Sequence, residues 1–174
     1  MYNIKNLNTE LLEPLKILAN NYNFKLDETG RTITATQTDK NILKITANEN
    51  NIDITYKEKP AFFRAMMIVD KNAKKGKLSF ELTTDVWFDF NGLMIDCSRN
   101  GVVNVSYAKK MIEQLAMIGQ NIFMLYIEDT YKLPNEEYFG YLRGAYTQEE
   151  LKEIVDYAIM FGVELLPCIQ TLAQ

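Results

Sequence analysis

The sequence has no histidine among its 174 residues. That absence removes the Ser-His-Asp triad, the Cys-His dyad, a histidine general base and most zinc sites from anything these residues do alone. Acid–base chemistry must rest on Asp, Glu, Lys, Tyr or Cys. Cysteine is scarce too. Cys97 and Cys168 stand at the ends of apolar runs without CxxC spacing, which suits free thiols better than a disulfide or a metal site. No metal and no cofactor is expected. There is no basic block either, and 19 Lys and Arg against 23 Asp and Glu leave a net charge of −4. Nucleic acid and membrane are therefore poor partners. No apolar run approaches the ~18 residues of a membrane span. The N-terminal MYNIKNLNTE lacks a basic-then-apolar leader pattern, so a cytoplasmic location is expected. Phosphate loops of the GxGxxG or GxxxxGK[ST] form are missing.

What is present falls into two rhythms. Residues 1–85 read as an α+β domain. Leu11, Leu12, Leu15, Leu18, Ala19 and Tyr22 recur at helical spacing after the capping candidates Asn8 and Thr9, and Pro14 is expected in the first turn or so. Three alternating stretches follow at Thr32–Thr36, Ile42–Thr46 and Ile52–Tyr56, with turn-rich separators that predict an antiparallel meander. Pro60 opens a second helix striped with Phe62, Phe63, Met66, Met67 and Val69, and Leu78, Phe80 and Leu82 form one more strand. An antiparallel sheet with helices on one face is the economical packing.

Residues 86–174 change to continuous apolar runs at Leu93–Ile95, Ile122–Ile127 and Val163–Ile169. Between them lie two helices. One carries Ala108, Met111, Ile112, Leu115 and Ala116 and ends at Gly119. The other opens on the capping-box pattern Thr147-Gln148-Glu149-Glu150 and ends at Gly162. The result is βαβαβ with parallel strands, the opening of a doubly wound sheet or of a (β/α)8 barrel, and three strands complete neither.

In parallel α/β folds the chemistry collects where the strands finish. All three runs finish in polar clusters: Asp96-Cys97-Ser98-Arg99, Tyr126-Ile127-Glu128-Asp129-Thr130-Tyr131 and Pro167-Cys168-Ile169-Gln170-Thr171. One such cluster would be a turn and a cap; three at the same edge point to a polar site. The connection after the second strand is long and aromatic, with Tyr131, Tyr138, Phe139, Tyr141 and Tyr146 around Arg143. Aromatic faces beside carboxylates and a guanidinium suit a sugar, although any one tyrosine could simply pack the loop.

The strings GLMIDCSRNGVVNV, FMLYIEDTYKL, EEYFGYLRGAYTQEEL and GVELLPCIQTLAQ resemble the start of the catalytic barrel in bacterial family 20 glycoside hydrolases, the β-N-acetylhexosaminidases. The resemblance covers residues 88–174, and the first half is similar to the small accessory domain that precedes that barrel. It implies an incomplete (β/α)8 TIM barrel, cut after its third strand. It also implies action on terminal GlcNAc or GalNAc of N-acetylhexosamine-terminated glycans, with the substrate's own acetamido oxygen as nucleophile. An Asp-Glu pair after the fourth strand orients the acetamide and protonates the leaving oxygen. That pair is missing here, so the resemblance assigns no catalytic residue to this chain and implies an inactive fragment. It does imply substrate-binding residues. Arg99 matches the arginine that holds the outer hydroxyls of the sugar, and Asp96 is expected to position Arg99 or to reach the same sugar. Glu128 and Asp129 match an acidic pair supporting the acid. Tyr131 joins the substrate-binding set from the aromatic loop and not from the resemblance. Gln170 and Gln174 stand where many members carry Asp and His.

Two other readings compete: a standalone carbohydrate-binding module, and an unrelated small α/β binding domain. With barrel edges unpaired, the sequence also predicts a homo-oligomer assembled through the strands at 92–97 and 163–169.

Overall fold

A computed structural model describes residues 1–5, 7–99 and 101–170. Gln174 therefore lies outside the described residues. The chain divides into two compact units, Met1–Asp89 with Ala116–Gly119, and Phe90–Leu115 with the chain from Gln120 onward.

The first unit runs β1 (Tyr2–Asn3), α1 (Thr9–Tyr22), β2 (Arg31–Gln37), β3 (Ile42–Ala47), β4 (Asn51–Tyr56), α2 (Lys59–Lys74) and β5 (Phe80–Asp85). Asn8 caps α1, its Oδ1 accepting from the Leu11 amide at 3.1 Å. Pro14 departs from expectation. It is inside the helix and past the first turn, so the Glu10 carbonyl has no amide four residues on. An interior proline costs roughly 3 kcal/mol. Burying Leu11, Leu15 and Leu18 at about 1.5–3 kcal/mol each outweighs that, and the helix persists.

The meander is the larger correction. The strand order is β1-β2-β4-β3-β5, with β2 parallel to both β1 and β4, and β3 antiparallel to β4 and β5. Alternation fixes which face a side chain takes but does not name the neighbouring strand. The turn-rich segment after β2 carries the chain past the place that β4 later fills. The tight β3–β4 hairpin then closes with Asn48 Oδ1 accepting from the amides of Asn50 and Asn51 at 2.9 and 2.8 Å. In this register Ile33, Ile52 and Ala47 form one buried row, and Ile54 lies beside Ile45 in the next. Helix side chains Leu15, Leu18, Phe62, Phe63 and Met66 complete the core. The opposite sheet face carries Lys44 and Asp53 in solvent.

The second unit contains β6 (Gly92–Asp96), α3 (Val105–Ile118) as far as Leu115, β7 (Ile122–Tyr126), α4 (Gln148–Phe161) and β8 (Glu164–Cys168). The strands are parallel in the order β6-β7-β8. The capping box of α4 is present, Thr147 Oγ1 accepting from the Glu150 amide at 3.1 Å while Glu150 accepts from the Thr147 amide at 2.8 Å. Gly92 is required where β6 begins, because a Cβ there would lie 1.9 Å from the Ile122 carbonyl oxygen.

The two faces of this sheet differ. Phe123 and Leu125 are buried on one, together with Ala108, Ile112, Ile154 and Ala158 from the helices. The other face carries Met94, Met124 and Leu166 in one row, with Asp96, Tyr126 and Cys168 in the row beyond. Met94 is 56% exposed and its two neighbours are half-buried. Among the described residues no helix is long and apolar enough to cross a membrane.

Candidate functional site

The carboxyl ends of β6, β7 and β8 bring the described residues of the three polar clusters, as far as Gln170 in the third, to one edge. The ladder continues past the strands, with the Cys97 amide donating to the Tyr126 carbonyl at 2.9 Å and the Ile127 amide to the Cys168 carbonyl at 3.0 Å. This sets Asp96, Tyr126 and Cys168 side by side.

Asp96 is not hydrogen-bonded to Arg99 in this geometry. Its Oδ1 accepts from the Ser98 amide at 2.8 Å and from the Ser98 hydroxyl at 2.6 Å, turning the chain sharply after β6. Those two bonds, and then the nearby charge of Arg99, hold the Asp96 carboxyl below the usual range. Ser98 is buried and Arg99 is exposed at the rim. The tight turn thus anchors Asp96 and leaves the guanidinium free to meet solvent or a ligand.

After β7 the backbone takes an unusual step. Glu128 has φ of 42°, in the left-handed region that most side chains avoid. Its Oε1 accepts from the Tyr126 hydroxyl at 2.9 Å. That bond to a carboxylate is the main reason the Tyr126 phenol is pushed above its ordinary value. Thr130 closes the turn, its amide and hydroxyl both donating to the Ile127 carbonyl at 2.7 and 2.6 Å.

Asp129 goes a different way from Glu128. Its Oδ1 accepts from Arg143 Nη1 at 2.6 Å, and the same nitrogen donates to the Ser98 carbonyl at 2.8 Å. Gly140 presses against Asp129, where a Cβ would fall 2.4 Å from the Asp129 carbonyl oxygen. Tyr131 makes a backbone bridge to Tyr146 and meets the Phe139 ring edge-on at 5.1 Å. The hydroxyl of Tyr146 donates to the Val103 carbonyl. Burial, and then neighbouring Cys97, push that phenol well up.

Of the five candidates, then, Asp96, Arg99 and Glu128 sit at the strand ends with their functional groups at the edge. Asp129 and Tyr131 are engaged in shaping the loop. Two residues beyond the candidate set belong here. Tyr126 was visible as the first residue of the second strand-end cluster, and Arg143 only as one charge among loop aromatics. Among the described residues no group of three His, Cys, Asp or Glu could hold a metal ion.

Residues 88–171 match the sequence model of glycosyl hydrolase family 20, catalytic domain. The matched model is that of the family the sequence strings resemble. Several solved structures share the fold. A family 20 exo-β-N-acetylglucosaminidase from Vibrio harveyi aligns at 19% identity with a TM-score of 0.70, covering 95% of this chain and 32% of that one. A family 20 β-N-acetylhexosaminidase from Streptomyces coelicolor gives 15% and 0.66, covering 92% and 40%. A chitobiase from Flavobacterium johnsoniae gives 19% and 0.64, covering 96% and 30%. The chain spans about a third of the length of these structures. No curated protein matches it.

Proposed function

We propose that this chain, whose residues 88–171 carry the family 20 catalytic-domain sequence, forms the opening of a β-N-acetylhexosaminidase barrel and contributes sugar-holding residues to it. The observation that carries the reading is the juxtaposition at one sheet edge of Arg99, free at the rim, and Glu128, held forward by a left-handed backbone, within that matched stretch. An exposed guanidinium can meet two adjacent sugar hydroxyls at once, and a carboxylate across from it accepts from a third. Tyr126 keeps Glu128 in place, and Ser98 does the same for Asp96.

The reaction is hydrolysis of terminal N-acetylhexosamine from a glycan by substrate-assisted retaining chemistry, in which the acetamido oxygen displaces the leaving group and water opens the resulting ring. The acid and the acetamide-orienting carboxylate lie outside these residues in this reading. Residues 1–85 are the accessory domain.

The test is nitrophenol release from nitrophenyl N-acetyl-β-glucosaminide. The natural polypeptide that carries this chain is expected to release it, and the 174-residue chain alone to stay at buffer level. In the active polypeptide Arg99→Ala should lower kcat/KM on the order of tenfold to a hundredfold, the equivalent of a desolvated charged hydrogen bond at about 1.5–3 kcal/mol. Turnover by the 174-residue chain that is lost in Glu128→Gln would instead place catalysis within it. No turnover by either would overturn the hexosaminidase reading.

A further inference from the structure

The strand-end pair Glu128-Asp129 is split by the structure, and the residue that splits it is Arg143. One nitrogen, Nη1, binds the Asp129 carboxylate at 2.6 Å and the Ser98 carbonyl at 2.8 Å. These two acceptors belong to the ends of different strands, β7 and β6, while Arg143 belongs to the connection leading into α4. An isolated ion pair at this degree of exposure would carry little. Here three chain segments meet on one guanidinium, and Ser98 is itself buried. The backbone on either side of the loop tip is bent to permit it. Gly140 has φ of 67° and Leu142 has φ of 59°, the latter in a conformation that branched and long side chains seldom adopt. Leu142 is 89% exposed, so burial of its side chain does not account for that backbone.

We propose that Arg143 is a positioning residue of this site. It fixes the β7–α4 connection to the end of β6, and thereby sets the separation between Arg99 and Glu128 across which a ligand is held. Asp129 serves as its anchor, which leaves Glu128 as the carboxylate of the pair that meets the ligand. The catalytic half of this inference rests on the hexosaminidase reading above. The clamp itself does not.

The position of the effect in the kinetics follows from the role. A loop released from its clamp occupies the binding-competent arrangement only part of the time, which weakens apparent binding by that fraction. Once substrate has gathered the loop, chemistry proceeds as before. Arg143→Gln should therefore raise KM roughly tenfold and change kcat by no more than about twofold. A group that touched the transition state would lower kcat instead.

Two measurements decide it. The first is amide hydrogen exchange on the 174-residue chain. Exchange across residues 130–146 should quicken in Arg143→Gln while the helix α1 amides keep their rates. Asp129→Asn, which preserves shape and weakens the bond, provides the same comparison should the arginine variant fail to fold. Unchanged exchange in the loop of either folded variant overturns the clamp. The second is steady-state kinetics in the natural polypeptide on the nitrophenyl substrate. A raised KM supports positioning; a lowered kcat at constant KM, or no change in either, overturns it. An inactive wild-type polypeptide would sink the hexosaminidase reading and the catalytic half of this one, with exchange still deciding the clamp.

Discussion

The two units solve the same packing problem to different degrees. In the first, strands alternate strictly: Ile45, Ile52 and Ile54 are buried under helices, while Lys44 and Asp53 of the same strands face solvent. Two layers close that core. In the second, helices bury Phe123 and Leu125, yet the far side of the sheet presents Met94, Met124 and Leu166. Strands that are apolar on both faces are built for cover on both. A polar back thus marks a finished layer, and an apolar back marks one awaiting company.

The largest expected effect tests whether the helix-covered cores are equally solid. Phe62 and Phe123 are both fully buried. Truncation to Ala should cost about 3–5 kcal/mol in each case. Denaturant titration followed by amide exchange within each unit measures it. A cost below about 1 kcal/mol for Phe123→Ala would mean that the second core does not rest on its helix face.

The open face comes next. Among the described residues β6 and β8 pair only with β7, so each keeps a free edge beside the exposed methionine row. The 174-residue chain is expected to self-associate at micromolar concentration and to bind a hydrophobe-sensing dye. Met94→Lys should shift light scattering toward the monomer, whereas Lys44→Met on the first unit's polar face should leave the Met94-dependent assembly in place. Monomeric wild type without dye binding would erase the contrast between the units.

The smallest effect is on pH dependence. Burial raises the phenols of Tyr2 in the first unit and Tyr146 in the second above their ordinary value of 10.0. On unfolding each ionises near pH 10, so the unfolded chain holds fewer protons than the folded one above that pH. The stabilisation is therefore complete below pH 10 and is lost as pH rises toward the folded values, at no more than about 1.4 kcal/mol per pH unit for each phenol. Tyr146→Phe should flatten this alkaline slope and leave the part due to Tyr2. An unchanged slope would show that Tyr146 titrates freely.

Much of this is legible in the sequence. Periodicity located α1, α2, α3 and α4, and the Thr147–Glu150 capping box and the parallel strands of the second unit followed from residue type and spacing. What escaped has physical reasons. β1 is two residues long, too short for any period. The parallel β2–β4 pairing was missed because Ile33 and Ile52 would be buried under either topology. Pro14 was held to the first turn on helix chemistry alone, and tertiary burial of Leu15 and Leu18 overrode it. At the site, Arg99 and the acidic pair could be picked from the strand-end clusters. The separate partners of Glu128 and Asp129 could not, because Arg143 donates to Asp129 and also to a backbone carbonyl 45 residues away, and no sequence pattern announces a carbonyl. Asp96 was expected to position Arg99 or to reach the same sugar, and its Oδ1 accepts from the nearer Ser98 hydroxyl and amide.

Glu128 carries one more implication. A non-glycine residue at φ of 42° sits roughly 1 kcal/mol or more above the right-handed alternative, a strain glycine would not feel. The backbone at this point would be most comfortable with no side chain, yet it bears a carboxylate aimed at the edge of the sheet. Glycine there would relieve that strain, but it would loosen the unfolded chain and leave the Tyr126 hydroxyl without its acceptor. The carboxylate thus keeps an uncomfortable backbone in place through the bond it makes, and a library ranked by melting temperature alone would register the strain and the bond but not what the edge of the sheet holds.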